Sequence, residues 1–366
     1  MFRDTNTWFH TQLDHDNWRR IAWFSCGKFA TTWVTALPDS ATSLPNYAVT
    51  YVAAAYIGLP QPMVAGVLGQ TINTANGGVV GLYGHELVNR SHPGGGWDIH
   101  HDAMTNVMAS TADEACVTVR KEVRGLLTAQ YPAAALARMA AAGADLAERR
   151  KQRIPDLMLD MLDAPTNLRS TQLADTKIIH ANESNYKKAM VAAPGRGRRA
   201  VEARQVKVAG EYTKAVQAMD QKYLGTAPGV VGPTERALAD HSHGGVVGLV
   251  FGAFGECSQS VDLLVERFGQ LIGEQGFAEM GYRTVEVGVG VATWAIRREW
   301  AMTHWRESAN LMWRNLEHVT GAYSEHAKKK RYEHRREAWA DAHRAAGTHR
   351  ENGTSRRRGH RTLRRA

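Results

Sequence analysis

A short period-two stretch constrains this chain more than any other feature. Between Ile154 and Leu162, Leu157, Leu159 and Met161 alternate with Met158, Asp160 and Leu162. Alternation of this kind marks a β-strand with one well-buried face. A turn is expected at Thr166–Ser170, and Leu173–His180, with Ile178 and Ile179, forms a second strand. Upstream, His101–Ala115 places Met104, Val107, Met108 and Ala112 on one helical face, and Cys116-Val117-Thr118-Val119 is a β-branched strand. Ala133–Arg150 is Ala-rich and helical. Downstream come an amphipathic helix over Ala200–Tyr223, a Gly/Pro-rich linker over Leu224–Pro233 and an apolar strand at Gly245–Gly252. Taken as helix 101–114, strands 116–122, 155–162 and 173–180, helix 199–220 and strand 245–252, the order is αβββαβ. The expected fold class is α/β (α+β), one mixed sheet flanked by helices.

Charge is distributed unevenly. The chain of 366 residues carries a formal +9. Lys328–Ala366 holds 14 Lys and Arg against 4 Asp and Glu, which leaves 31 basic and 32 acidic residues elsewhere. The high isoelectric point therefore belongs to the tail, which is low in apolar residues and suits a polyanionic partner. Nucleic acid is the expected partner, DNA favoured and RNA possible. Cys26, Cys116 and Cys257 are few, odd in number and far apart, which argues against a disulfide framework and for a reducing, nuclear or cytoplasmic compartment. No apolar run is long enough for a membrane span, and no membrane association is expected. The expected organisation is an irregular, Trp-, Gly- and Pro-rich region over 1–97, a core over 98–272, a helical region over 273–327 and a disordered basic tail over 328–366.

The chemistry sits in the central strands. Asp156 follows Pro155, and Asp175 and Lys177 lie one position apart on the next strand, with 18 residues between the two acids. Residues i and i+2 of a strand share a face, so Asp175 and Lys177 point together. Two carboxylates suit Mg²⁺ or Mn²⁺, hard cations that prefer oxygen ligands. Such an ion activates water and offsets charge on a phosphate, and a lysine orients or deprotonates that water. Pro155-Asp156 and Asp175-Thr176-Lys177 in this element order resemble the PD-(D/E)XK nuclease core, and the resemblance implies Asp156 and Asp175 as metal ligands and Asp156, Asp175 and Lys177 as the catalytic set. Glu122, at the end of the first strand, is a candidate extra ligand, against the reading of a solvated acid. The competing reading is a turn aspartate after Pro155 and a surface Asp–Lys pair.

A more particular resemblance runs over roughly residues 25–320. The chain is similar to the restriction-like endonuclease region downstream of the polymerase in site-specific non-LTR retrotransposons, especially algal and protist forms. Gly84-His85, Gly94-Gly95-Gly96 and His100-His101-Asp102 resemble its Gly-Asp-His, Gly-Gly and Arg-His-Asn stretch. Arg153-Ile154-Pro155-Asp156 resembles its Arg-Pro-Asp motif, and Leu173–His180 its second acidic strand. Glu202–Tyr212 resembles the helix that carries a basic residue and a tyrosine; Gly248–Glu256 and Arg297–Trp300 resemble the segments that follow. The resemblance implies a Mg²⁺-dependent DNA endonuclease with secondary roles for His101, Lys207 and Tyr212. It departs from the family in two places. No cysteine occurs between Thr71 and His92, where the family carries a zinc knuckle, so zinc is not expected, and no reverse-transcriptase motif is present.

Other clusters carry weaker signals. His85, His92, His100, His101 and Asp102 match no standard zinc spacing. Asp240-His241-Ser242-His243 is too contiguous for a catalytic triad. The glycines from Gly244 to Gly255 lack the Lys-Ser/Thr of a phosphate loop. Trp294, Trp300, Trp305 and Trp313 form no single stripe and suit packing better than base stacking. Nucleic-acid contacts are expected from the loop Arg196, Arg198 and Arg199, and from Lys328, Lys329, Lys330, Arg331, Arg356, Arg357 and Arg358 in the tail. The rival to an endonuclease is an inactive nucleic-acid-binding or RNA-associated structural protein on the same fold.

Overall fold

The computed structural model describes residues 28–35, 43–56, 59–72, 78–89, 95–122, 126–128, 131–142, 154–162, 169–181, 185–186, 197–241 and 245–320. Its centre is a four-stranded mixed sheet: β1 (Thr118–Lys121), β2 (Leu157–Leu162), β3 (Arg169–Ile178) and β4 (Val247–Phe251), adjacent in that order. β1–β2 and β2–β3 are antiparallel and β3–β4 is parallel. The parallel pair needs a crossover. It is made through α6 (Gly197–Met219), a π-turn at Asp220–Leu224 and α7 (Pro233–His241). The remaining helices are α1 (Lys28–Thr35), α2 (Asn46–Tyr56), α3 (His85–Val88), α4 (Gly96–Glu114), α5 (Ala133–Ala142), α8 (Gln259–Gly276) and α9 (Val285–Val319).

The alternation in β2 sorts its side chains between two cores. Leu157 and Leu159 join Ala174, Leu249 and Phe251 on one face, packed by Met104, Met108 and Ala112 of α4, Val265 and Phe268 of α8, and Ile296 and Trp300 of α9. Met158 turns the other way, with Leu173 and Val246, onto Val208, Tyr212 and Val216 of α6. The sheet is therefore buried on both faces by helices, a three-layer arrangement. Each fully buried large side chain here contributes roughly 1.5–3 kcal/mol of transfer free energy. Trp300 is fully buried and also donates its Nε1–H to Thr111 Oγ1 at 2.9 Å, as a buried indole requires.

Two glycines set the spacing of the layers. A Cβ on Gly248 would lie 3.1 Å from the Gln205 Cα and 3.2 Å from the Val208 Cβ, so its hydrogen lets α6 approach β4 closely. On Gly273 of α8, a Cβ would stand 2.4 Å from the Val289 backbone of α9. That hairpin has no room for a larger residue there.

The elements of the expected αβββαβ order are present, with α5 inserted between β1 and β2 and α7 between α6 and β4, and with strands shorter than expected at 118–121, 157–162 and 247–251. β3 starts at Arg169, inside the segment expected to turn, because Leu162 and Met161 of β2 supply ladder partners for Arg169 and Ser170. The expectation of an irregular region over 1–97 is corrected between 28 and 56, where α1 and α2 form. Their Ala48, Tyr51 and Val52 pack against Trp305, Ala309 and Met312 of α9 in a second core, which also takes in Val64, Ile72 and Leu87. Tertiary burial there outweighs the weak helix propensity of Thr, Trp, Val and Tyr. Helix 133–150 is seen as Ala133–Ala142; residues 143–150, like the tail from 321, lie outside the described residues.

Candidate active site

Asp156 precedes β2, where Pro155, lacking an N–H, suits a strand entrance. Leu157 pairs with Ala174, and continuing that register by one residue sets Asp156 opposite Asp175. Both acids are buried, at 8% and 3% exposure. Asp175 pairs with Gly248 of β4 and Lys177 with Val250, two places along the same strand.

Each carboxylate is held by a different layer. Asp156 Oδ2 accepts the Thr176 backbone N–H at 2.6 Å and His101 Nε2–H at 2.9 Å. His101 comes from α4, and its Nδ1 lies 3.3 Å from Asp102 Oδ1. Thr105, one turn along α4, donates to Thr176 Oγ1 at 3.2 Å and fixes the helix to β3. Burial works against charge on His101, but the hydrogen bonds to Asp102 and Asp156 and the negative charge of Asp156 outweigh it, raising its pKa to about 10. With an acidic partner at each ring nitrogen, His101 is an imidazolium at neutral pH.

Asp175 faces α6. Tyr212 donates to its Oδ1 at 2.9 Å. Lys177 Nζ stands 2.5 Å from Oδ2 in an ion pair. Burial pushes the Asp175 carboxyl up, Lys177 pulls it back, and Asp156 adds to the rise; the net direction is upward. A pair of facing carboxylates normally separates the two affinities for protons in this way.

The structure thus brings together Asp156, Asp175, Lys177, His101 and Tyr212. It does not bring in Glu122, which is exposed, or Lys207, which is 68% exposed on α6 near Glu211. The Glu122 main chain does touch the site, its N–H donating to Asp156 O at 3.1 Å. Arg198 is engaged with Glu202 and Asp262, and Arg199 is exposed. Arg196 and the tail residues lie outside the described residues. Sequence reasoning passed over Gln205. It belongs to the α6 stripe of Val201, Val208, Tyr212 and Val216, it packs at Gly248 beside Asp175, and its buried Oε1 has no hydrogen-bond partner among the described residues. A polar residue on an otherwise apolar stripe was the available signal.

The donor set, two buried carboxylates facing each other across β2 and β3, is of the all-oxygen kind that a hard divalent cation takes. Among the described residues, no group of three or more His, Cys, Asp or Glu is placed to share an ion. A bound cation would therefore draw its remaining oxygens from water or substrate, as Mg²⁺ commonly does. His100 and His304 form a separate buried chain. His304 Nε2–H donates to Gly252 O at 2.8 Å, which leaves its Nδ1 to accept from His100 Nε2–H at 3.2 Å. Burial holds His304 down to about 4 and His100 well below its usual value, so both are neutral. Trp300 and Trp305 are fully buried, while Trp294 and Trp313 are each 39% exposed. No described helix is long and apolar enough to cross a membrane.

No protein-family model matches the chain, and comparisons with curated proteins and with solved structures yield no match.

Proposed function

We propose that the chain is a metal-dependent DNA endonuclease of the PD-(D/E)XK type, hydrolysing phosphodiester bonds at the Asp156–Asp175–Lys177 cluster. The observation that carries this reading is the facing of Asp156 and Asp175 across β2 and β3, with Lys177 on the same strand face. The resemblance to the restriction-like endonuclease region of non-LTR retrotransposons supports it. Asp156 and Asp175 would hold Mg²⁺ or Mn²⁺, which supplies an activated water and charge stabilisation when bound. Lys177, as an ammonium, stands where it can orient the attacking water by donating to it and offset charge on phosphate. Tyr212 fixes the Asp175 carboxylate, and His101 with the Thr176 N–H fixes that of Asp156. His101, cationic and 28% exposed in its side chain, also adds positive charge at the rim, where a phosphate would approach.

Cleavage of plasmid DNA in Mg²⁺ and Mn²⁺ tests the reading. Asp156→Asn and Asp175→Asn should abolish cutting while duplex binding persists, because losing a negative charge does not weaken a phosphate site. A second reading has its own observation: each carboxylate already carries a cation of the chain, His101 on Asp156 and Lys177 on Asp175. An inactive nucleic-acid-binding protein on the same fold would keep such a closed set. Wild-type protein that binds DNA and cuts none in either metal would establish that second reading.

A further inference from the structure

β2 begins opposite Ala174, while β3 runs on to Ile178. Beyond Asp156, the β2-side edge of β3 pairs with no strand among the described residues. The first turns of α4 form the wall along this edge. His101 reaches Asp156 near its start, and Trp97, one helical turn before His101, lies on the same helix face further along. His180, three residues past Lys177, closes the far end. The Trp97 and His180 rings are stacked, with centroids 5.2 Å apart and planes inclined by 22°.

Trp97 differs from the other half-exposed indoles. Trp294 lies under the Arg298 guanidinium, and Trp313 packs on Tyr47 with its Nε1–H on Glu317; both belong to α9. Trp97 alone among these three belongs to α4, one turn before His101, the residue that holds Asp156. It is 37% exposed, and its Nε1–H donates to Val88 O at 2.9 Å, which fixes the ring plane. A ring held rigidly from one side and open to solvent loses little conformational entropy when a flat ligand covers it.

We propose that Trp97, backed by His180, is a stacking platform for an unpaired DNA base next to the phosphate held at Asp156, Asp175 and Lys177. This rests on the nuclease reading and adds a ligand to it. The spacing supports it: His180 shares its strand face with Thr176, whose N–H holds Asp156 and whose hydroxyl meets α4, and four residues of extended chain between them span roughly 13 Å, the scale of a nearby nucleotide and not of a distant site. Aromatic stacking tolerates any base, so the platform recognises single-stranded character without sequence.

The test measures binding of a short single-stranded DNA oligonucleotide by fluorescence anisotropy in Ca²⁺, with one abasic residue moved along the strand. One abasic position should weaken binding to the wild-type protein by roughly 5- to 100-fold, the usual range for a stacked base. The same abasic residue should cost Trp97→Ala almost nothing. Trp97→Phe keeps a ring but loses the bond to Val88, and it should retain most of the affinity and the abasic sensitivity. If Trp97→Phe falls as far as Trp97→Ala, the indole serves packing and the proposal is overturned. It is also overturned if both proteins respond alike at every abasic position, or if no oligonucleotide binds. Hydrolysis of bis-p-nitrophenyl phosphate by the wild-type protein in Mn²⁺ tests the nuclease reading separately, because that diester has no base.

Discussion

The single hydroxyl proton of Tyr212 lies between two acceptors, Asp175 Oδ1 at 2.9 Å and Ile154 O at 3.0 Å. α6 thereby ties the entrance of β2 to the carboxylate on β3. Tyr212→Phe removes a donor that favours the ionised acid, so the Asp175 carboxyl rises further. The acid limb of the pH–rate profile for cleavage should move to higher pH, with a stability loss of about 1–3 kcal/mol for the unsatisfied buried groups. An unmoved acid limb would show that Asp175 is not the group that must be ionised.

His101 makes stability depend on pH in a defined window. Its folded pKa of about 10 lies above the unfolded value near 6.5. The contribution is complete below about pH 6.5 and disappears as pH rises through about 10. In metal-free protein, urea midpoints of wild type and His101→Gln should differ most at pH 6 and converge by pH 10. A difference that grows with pH would mean that the imidazole is neutral against Asp156.

Gly248 controls how near α6 comes to the sheet. Gly248→Ala needs its neighbours on Gln205 and Val208 to give by a few tenths of an ångström, and Gly248→Val needs considerably more. We expect losses of about 1 kcal/mol and about 2–3 kcal/mol respectively, typical of overpacking. Cleavage should fall more than stability alone predicts, since Tyr212 moves with the helix. Denaturation curves alongside initial rates will separate the two effects.

The basic tail should dominate non-specific affinity. Each neutralised phosphate releases counterions, so the slope of log K against log salt counts contacts. Removing Lys328–Ala366 takes away 14 Lys and Arg, and the slope should become markedly shallower while the rate of cleavage at saturating DNA is retained. An unchanged slope would locate the phosphate contacts on the body of the protein.

The sheet and the two acids were legible because their signals are local. Alternation across 157–162 reports burial directly, and the i, i+2 spacing of Asp175 and Lys177 fixes a shared face. The start of β3 was hidden, since Arg-Ser-Thr-Gln is apt for a turn and becomes strand only beside β2. α1 and α2 were hidden for a similar reason: their apolar residues serve a core completed by α9, some 250 residues further along. The partnership of His101 with Asp156 spans 55 residues and three elements, and no spacing rule reaches that far. Gln205 carries no charge and sits in no motif; only its place on the inward stripe of Val201, Val208 and Tyr212 marks it.

The seating of α1 and α2 on α9 has a consequence for how the chain is made. The β2–β3 pair closes over a short loop and brings Asp156 and Asp175 together early. Tyr51, Val52 and Phe29 must wait until Trp300, Trp305 and Met312 have left the ribosome. Contacts of such high sequence separation slow folding and leave apolar surface open in the meantime. A nascent chain halted before α9 would therefore carry facing acids on a sheet covered by α4 and α8 but lacking α9 and the seat for α1 and α2, and it would be a natural client for a chaperone.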